Sequence, residues 1–242
     1  MRLDLYVFER GFASSRTEAK KLIESGMVSV AGAVIEKPSY DVASDSVDVT
    51  VEEPSHRFAS RGGLKLEGAL ESFNVTVKGK KCIDIGASSG GFTDCLLQHG
   101  AFHVIAVDSG RGQMVEALRN DSRVTVIEGF NARYMSPSDL EYLPQLAVMD
   151  VSFISARLII PAVSECLARG GDYILLIKPQ FEVGKANVGK GGIVKSAALR
   201  DAAVRDVLDT ARACGFEPMG VIQSPIQGGD GNIEFLAHLV KQ

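Results

Sequence analysis

Four charged residues stand where apolar runs stop or are interrupted. Asp150 follows the run 146–149, Lys178 follows 173–177, Glu234 sits inside the apolar stretch 232–236, and Lys65 borders a helical stripe of Leu66, Ala69, Leu70 and Phe73. In an open α/β sheet, groups at the C-terminal ends of strands face the ligand crevice, and Asp150 and Lys178 meet that condition. Isolated charges are costly to bury, so two lysines and two acids converging on one cleft would compensate each other. Such a set serves either as structural ion pairs or as a site that stabilises developing negative charge and handles a proton. Taken singly, Lys65 reads as a surface lysine whose stem lies along apolar side chains.

A second stretch carries binding chemistry. Lys81-Cys82-Ile83-Asp84-Ile85-Gly86-Ala87-Ser88-Ser89-Gly90-Gly91-Phe92-Thr93-Asp94 reads as a short strand, a tight glycine turn and a helix with Phe92, Cys95, Leu96 and His99 on one face. Glycines let the backbone approach a ligand, and the helix N-terminus presents N–H groups to a polar or anionic partner. The spacing is not the G-x-G-x-x-G of dinucleotide sites, which argues against a nicotinamide oxidoreductase. Asp108, closing the run 103–108, stands where a nucleoside ribose would be hydrogen-bonded. With Asp84 inside the strand, the stretch resembles the first motif of S-adenosylmethionine-dependent methyltransferases.

The elements that must position these groups follow from periodicity. From Lys81 onward, strands expected near 82–86, 103–108, 124–128, 146–151, 172–178, 217–223 and 233–240 alternate with helical stretches, clearest at 155–168 and 197–214. That alternation predicts a mostly parallel sheet covered on both faces. Residues 54–63, with Pro54 and the Gly62-Gly63 pair as brackets, read as a linker before the helix that carries Lys65. The first 53 residues form a unit of their own: a short helix ending near Gly11, a second over 16–24 capped by Ser14 or Ser15, a hairpin turning at Ala31-Gly32, and a strand over 47–51.

Composition bounds the function. The 242 residues are 45% hydrophobic and 23% charged, as in an ordinary globular protein, and the charged N-terminus lacks the apolar core of a secretion signal. A cytoplasmic protein with buried reduced thiols is expected, since Cys82, Cys95, Cys166 and Cys214 form no C-x-x-C pair. A membrane-lytic toxin would need a secretion signal or an amphipathic inserting segment, and neither is evident. The net charge of −4 hides local basic patches: six basic residues against two acidic over 57–81, including Arg57 and Arg61, and Lys185, Lys190 and Lys195 without an acid over 185–195. Local patches create the field a phosphate backbone feels. The glycine-rich segment 184–192, directly after the strand that ends at Lys178, reads as a mobile loop.

Two resemblances extend this reading. The ordered elements S-R-x-x-A, I-x-x-G-x-V-x-V-x-G and K-P in the first fifty residues resemble the alpha-L RNA-binding fold, first described in a protein of the small ribosomal subunit. The module is slightly acidic, six Lys and Arg against ten Asp and Glu over 1–53, so an RNA grip would come from one face bearing Arg10, Arg16, Lys20 and Lys21. The set Lys65, Asp150, Lys178, Glu234 resembles the K-D-K-E tetrad of FtsJ-type RNA ribose 2′-O-methyltransferases. With S-R-G-G-L-K-L, D-V-S-F-I-S and K-P-Q-F-E-V-G-K-x-x-V-G-K-G-G-I-V, nearly the whole chain resembles the TlyA family, also labelled hemolysin A.

That resemblance implies a Rossmann-like α/β fold, the seven-stranded S-adenosylmethionine-dependent methyltransferase sheet over 64–242, behind an α+β alpha-L domain over 1–53 and a linker over 54–63. It implies cytidine 2′-O-methylation of ribosomal RNA or ribosomal subunits, S-adenosyl-L-methionine as cofactor and no metal. Lys65, Asp150, Lys178 and Glu234 would be catalytic. Asp84, the turn from Gly86 to Phe92, Asp108, Asn131 in an adenine pocket and Asp150 would hold the cofactor. A monomer and a homodimer are equally compatible with the pattern.

Overall fold

The computed structural model describes residues 1–13, 15–24, 26–42, 47–51, 57–228 and 231–242, without the side chains of Glu18 and Lys21. The chain divides into two compact units, Met1–His56 and Arg57–Gln242. The expected cap Ser14 and linker residues 54–56 lie outside the described residues.

The first unit holds α1 (Leu3–Glu9), α2 (Arg16–Glu24), β1 (Val28–Val30), β2 (Ala33–Val34) and β3 (Val49–Val51). Its antiparallel sheet runs β2-β1-β3. Ala31 and Gly32 both take positive φ, 50° and 79°, which is the turn a two-residue hairpin requires to match strand twist. Leu3 and Val7 of α1 meet Ala19 and Ile23 of α2 and Val28 of β1 in a fully buried core. The last strand is shorter than the 47–51 expected, because Val47 packs on this core without joining the ladder.

The second unit begins with α3 (Gly62–Phe73) and continues through β4 (Lys81–Ile85), α4 (Gly91–Gln98), β5 (His103–Asp108), α5 (Glu116–Arg119), β6 (Val124–Glu128) and β7 (Leu146–Met149). It ends with α6 (Ile160–Cys166), β8 (Asp172–Ile177), α7 (Pro179–Glu182), α8 (Ala197–Ala213), β9 (Phe216–Gln223) and β10 (Phe235–Lys241). The seven-stranded sheet has the order β6-β5-β4-β7-β8-β10-β9. β4 to β8 are parallel, and β10 runs antiparallel to both its neighbours.

The central strands read as unbroken apolar runs because both faces are covered. Ile83, Ile85, Ile105, Val107, Ala147, Met149 and Leu175 point to one core with Ile160 and Val163 of α6 and Val207 and Ala211 of α8. The alternate residues Cys82, Val104, Ala106, Leu146, Val148 and Ile174 point to the other, with Leu66 and Leu70 of α3 and Phe92 and Leu96 of α4. Each fully buried Ile, Leu or Phe in these layers contributes about 1.5–3 kcal/mol.

Three expectations are corrected. Gly62 and Gly63, expected to close the linker, already belong to α3, and Phe58 packs on Gly63 so closely that a Cβ there would stand 2.4 Å from its ring. The helix read over 155–168 divides into a 3-10 turn, Ala156–Leu158, and α6, with Pro161 accommodated in the first turn where no intrahelical N–H is needed. Glu234 precedes β10 instead of lying within it.

Candidate active site

The glycine turn joins β4 to α4 at the C-terminal edge of the sheet. Gly86 has φ 83° and a Cβ there would stand 2.4 Å from the Asp150 carbonyl oxygen, so only glycine lets this turn pass the start of the β7 loop. Ser88 (φ 47°) and Gly90 (φ 98°) complete the left-handed turn, and Gly91 and Phe92 open α4. Asp108 closes β5 and accepts from Ser88 N at 2.8 Å and Gly110 N at 2.6 Å, which ties the turn to the next strand end. Glu128 closes β6 and takes Gly112 N at 2.9 Å together with Arg119. Asn131 follows exposed, its side chain accepting from Arg133 N at 3.1 Å.

Beneath the turn, Asp84 is fully buried. Thr93 Oγ1 donates to its Oδ2 at 2.7 Å, while Oδ1 has no partner among the described residues. Burial pushes the Asp84 carboxyl up to about 7 against the Thr93 hydrogen bond, with Asp150 and Asp108 adding to the rise.

The four charged residues form two close pairs. Lys65, on the face of α3 turned into the protein, is buried, and its Nζ reaches Glu234 Oε2 at 2.6 Å; their side chains are 10% and 2% exposed. Lys65 is therefore not the surface lysine its position on the helical stripe suggests. Lys178 Nζ stands 2.6 Å from Asp150 Oδ1 as a charge contact and donates an aligned hydrogen bond to Ser152 Oγ at 2.8 Å. Gln180 stands beside the second pair: its Nε2 lies 3.5 Å from Glu234 Oε1, and its own Oε1 is buried without a hydrogen-bond partner among the described residues.

A cleft of about 280 Å³ opens here, lined by Ser152, Phe153, Lys178, Gln180, Phe181 and Glu234, with Val188 and Gly192 of the following segment. Phe153 is 92% exposed and has φ 65°, an unusual conformation for an aromatic residue, with its ring 5.3 Å from that of Phe181. Sequence reasoning singled out neither Ser152, Phe153 nor Gln180 as site residues. Ser152 and Gln180 each lie two positions after a charged strand-end residue, and a polar residue at that offset is a signal that could have found them.

The basic residues are distributed. Lys185, Lys190 and Lys195 are exposed around the two 3-10 turns Lys185–Asn187 and Lys190–Gly192. Arg61 is exposed, and Arg57 pairs with Glu67 at 2.5 Å. In the first unit Lys20 is exposed, Arg10 stacks its guanidinium over Tyr6, and Arg16 donates to the buried Asp4 at 3.1 Å, so part of its charge is already engaged. The side chain of Lys21 lies outside the described residues. Among the described residues no helix is long and apolar enough to cross a membrane. All four cysteines are free, and burial pushes the Cys82 thiol up to about 12.

Comparison with known proteins places this geometry. The model of the FtsJ-like methyltransferases matches residues 58–241, and that of the S4 domain matches residues 1–48. The 16S/23S rRNA (cytidine-2′-O)-methyltransferase TlyA of Mycobacterium tuberculosis is 45% identical over all of this chain and 90% of its own length. A solved structure described as a candidate hemolysin from Streptococcus thermophilus shares 44% identity, with a TM-score of 0.80 over 100% of this chain and 88% of its own. An S-adenosylmethionine-dependent methyltransferase from Mesorhizobium loti, 15% identical over 73% of this chain and 98% of its own, shares the fold alone at a TM-score of 0.55. Matched over nearly its whole length by these models and relatives, the chain belongs to the TlyA/hemolysin A family of FtsJ-like methyltransferases, with an S4 domain at its N-terminus.

Proposed function

We propose that this protein transfers a methyl group from S-adenosylmethionine to the 2′-hydroxyl of a cytidine in ribosomal RNA, acting in the cytoplasm. The observation that carries this reading is that one cleft is lined by Lys178, paired with Asp150, and by Glu234, paired with the buried Lys65, while the Asp150 backbone passes the Gly86 turn. The residues of the turn fit the cofactor. Gly86 leaves no room for a Cβ, Asp108 stands at the end of the second parallel strand where a ribose hydroxyl is bound, and Asp84 Oδ1 has no hydrogen-bond partner among the described residues. When bound, S-adenosylmethionine supplies an electrophilic methyl group on a sulfonium.

The chain's own residues supply the rest. A ribose hydroxyl is a weak nucleophile at neutral pH, so its oxygen must be held in line and its developing charge stabilised. Lys178 Nζ, fixed between Asp150 and Ser152, stands at the cleft to steer that oxygen. Lys65 adds positive charge from behind, and Glu234 keeps the ammonium from standing uncompensated in the interior. Phe153 offers an exposed ring at the mouth of the cleft on which an unstacked base can lie. Lys185, Lys190 and Lys195 follow the catalytic strand closely enough to meet the RNA backbone, while Arg10, Arg16, Lys20, Lys21, Arg57 and Arg61 provide further phosphate contacts.

The test is methyl transfer from labelled S-adenosylmethionine to unmodified ribosomal subunits, comparing the parent with Lys178→Ala. Label at the ribose of a cytidine, reduced by about 10²–10⁴-fold in the variant, is the expected result. Absence of label on every subunit and on naked RNA, despite measurable cofactor binding, would overturn the reading. A Lys178→Arg variant adds information: retained activity assigns the lysine an electrostatic role, since a guanidinium keeps the charge and does not give up its proton.

A further inference from the structure

The loop that follows β7 carries Asp150, Ser152 and Phe153, yet it has no regular structure of its own until the 3-10 turn at Ala156. What holds it is a buried acid from a different part of the chain. Glu182, the last residue of α7, is 8% exposed. Its Oε1 accepts from Ala156 N at 2.7 Å, and its Oε2 accepts from Ser155 Oγ at 2.5 Å and from Arg157 Nε at 3.2 Å. Arg157 also donates through Nη2 to the Glu182 carbonyl oxygen at 3.4 Å, so side chain and backbone are clasped together.

Both oxygens of this carboxylate are thus used to bind the far end of the Asp150–Arg157 segment. The near end is fixed by Asp150 N, which donates to Ile85 O at 3.0 Å and continues the β4 ladder. Between these two anchors lie Ser152, on Lys178, and Phe153, held at φ 65° with its ring in solvent. An αL backbone at a non-glycine residue costs about 1–2 kcal/mol and persists only where its surroundings impose it. Glu182 also ends the four-residue helix that begins directly after Lys178, so one side chain fixes the spacing between the two segments that form the cleft.

We propose that Glu182 is a positioning residue for methyl transfer, which clamps the Asp150–Arg157 loop onto α7 and so sets the places of Ser152, Phe153 and Lys178 in the cleft. The proposal rests on the methyltransferase reading above. Glu182 touches none of the reacting groups. It acts through the loop, and a displacement of the order of 1 Å at a catalytic group costs about 10²-fold in rate.

The experiment uses the full chain. Glu182→Gln keeps the shape and one acceptor for Ala156 N, whereas Glu182→Ala removes the clasp. In labelled methyl transfer to ribosomal subunits, kcat falls by about 10- to 100-fold in Glu182→Ala, with Glu182→Gln intermediate, while S-adenosylmethionine affinity stays within about twofold of the parent. A second readout needs no turnover. The chain contains no tryptophan, so Phe153→Trp introduces a unique fluorophore at the loop. Adding Glu182→Gln to it lowers the indole anisotropy if the clamp orders the loop. Parent-like kcat in Glu182→Ala, or a kcat loss matched by an equal loss of cofactor affinity, would overturn the proposal. An unchanged anisotropy would overturn it even if the parent methylated nothing, which separates its failure from failure of the function itself.

Discussion

Replacing Glu234 by Gln probes the buried pair most directly. Lys65 Nζ and Glu234 Oε2 lie 2.6 Å apart with 10% and 2% of their side chains exposed. At an effective dielectric near 20 the gross attraction is about 6 kcal/mol, most of which offsets the cost of taking both ions out of water. Glu234→Gln keeps the volume and the acceptor that Gln180 reaches, but leaves the Lys65 ammonium buried without a counter-charge. Removing one partner of such a pair costs about 3–5 kcal/mol, and Lys65→Met strands the carboxylate at a similar cost. The double variant removes both charges, so its loss falls below the sum of the singles by about 2–3 kcal/mol. Urea unfolding of the four proteins measures this, with the slope checked to be constant so that midpoints report stability. Single variants within about 0.5 kcal/mol of the parent, or strict additivity, would refute the argument that the pair is dry and mutually dependent.

The other predictions concern the turn and the cleft. Asp84 has a folded-state value of about 7, above its ordinary 3.8, so its protonated form favours the native state. That contribution is complete below the unfolded value and is lost as pH rises through about 7; it amounts to no more than about 4 kcal/mol. Melting curves between about pH 5 and 8 should show the parent losing stability relative to Asp84→Asn as pH rises, and parallel curves would count against the burial argument. Phe153→Gly relieves the left-handed strain while giving up little buried surface, so stability changes by no more than about 1 kcal/mol and methylation of RNA drops sharply. A variant that methylates normally would remove Phe153 from the site.

The element types were legible in the sequence for a physical reason. Strands covered on both faces are predominantly apolar, so β5, β7 and β8 show as runs ended by a charge, whereas β4 holds the buried Asp84 and ends at the glycine turn. Asp150 and Lys178 were visible as candidates on that ground, and the glycine spacing at 86–91 separated this turn from a dinucleotide loop. Glu182 left no such mark. It is one acid in a stretch with lysines nearby, and its partners Ser155, Ala156 and Arg157 are set by how two loops meet.

By itself, then, the sequence determined the alternation of strands and helices, the glycine turn and the charged strand ends, because local periodicity and backbone sterics act over a few residues. Tertiary structure alone decided which charges meet. Glu234 precedes an apolar strand, and it reaches the sheet edge that bears Lys178 because β10 runs antiparallel, which puts Phe235 opposite Ile177. Lys65 lies 169 residues from Glu234 and became a buried ion pair only when α3 packed against the sheet. Periodicity reports which face of an element is buried, whereas the direction of a strand and the partner of a buried charge depend on contacts between segments far apart in the chain.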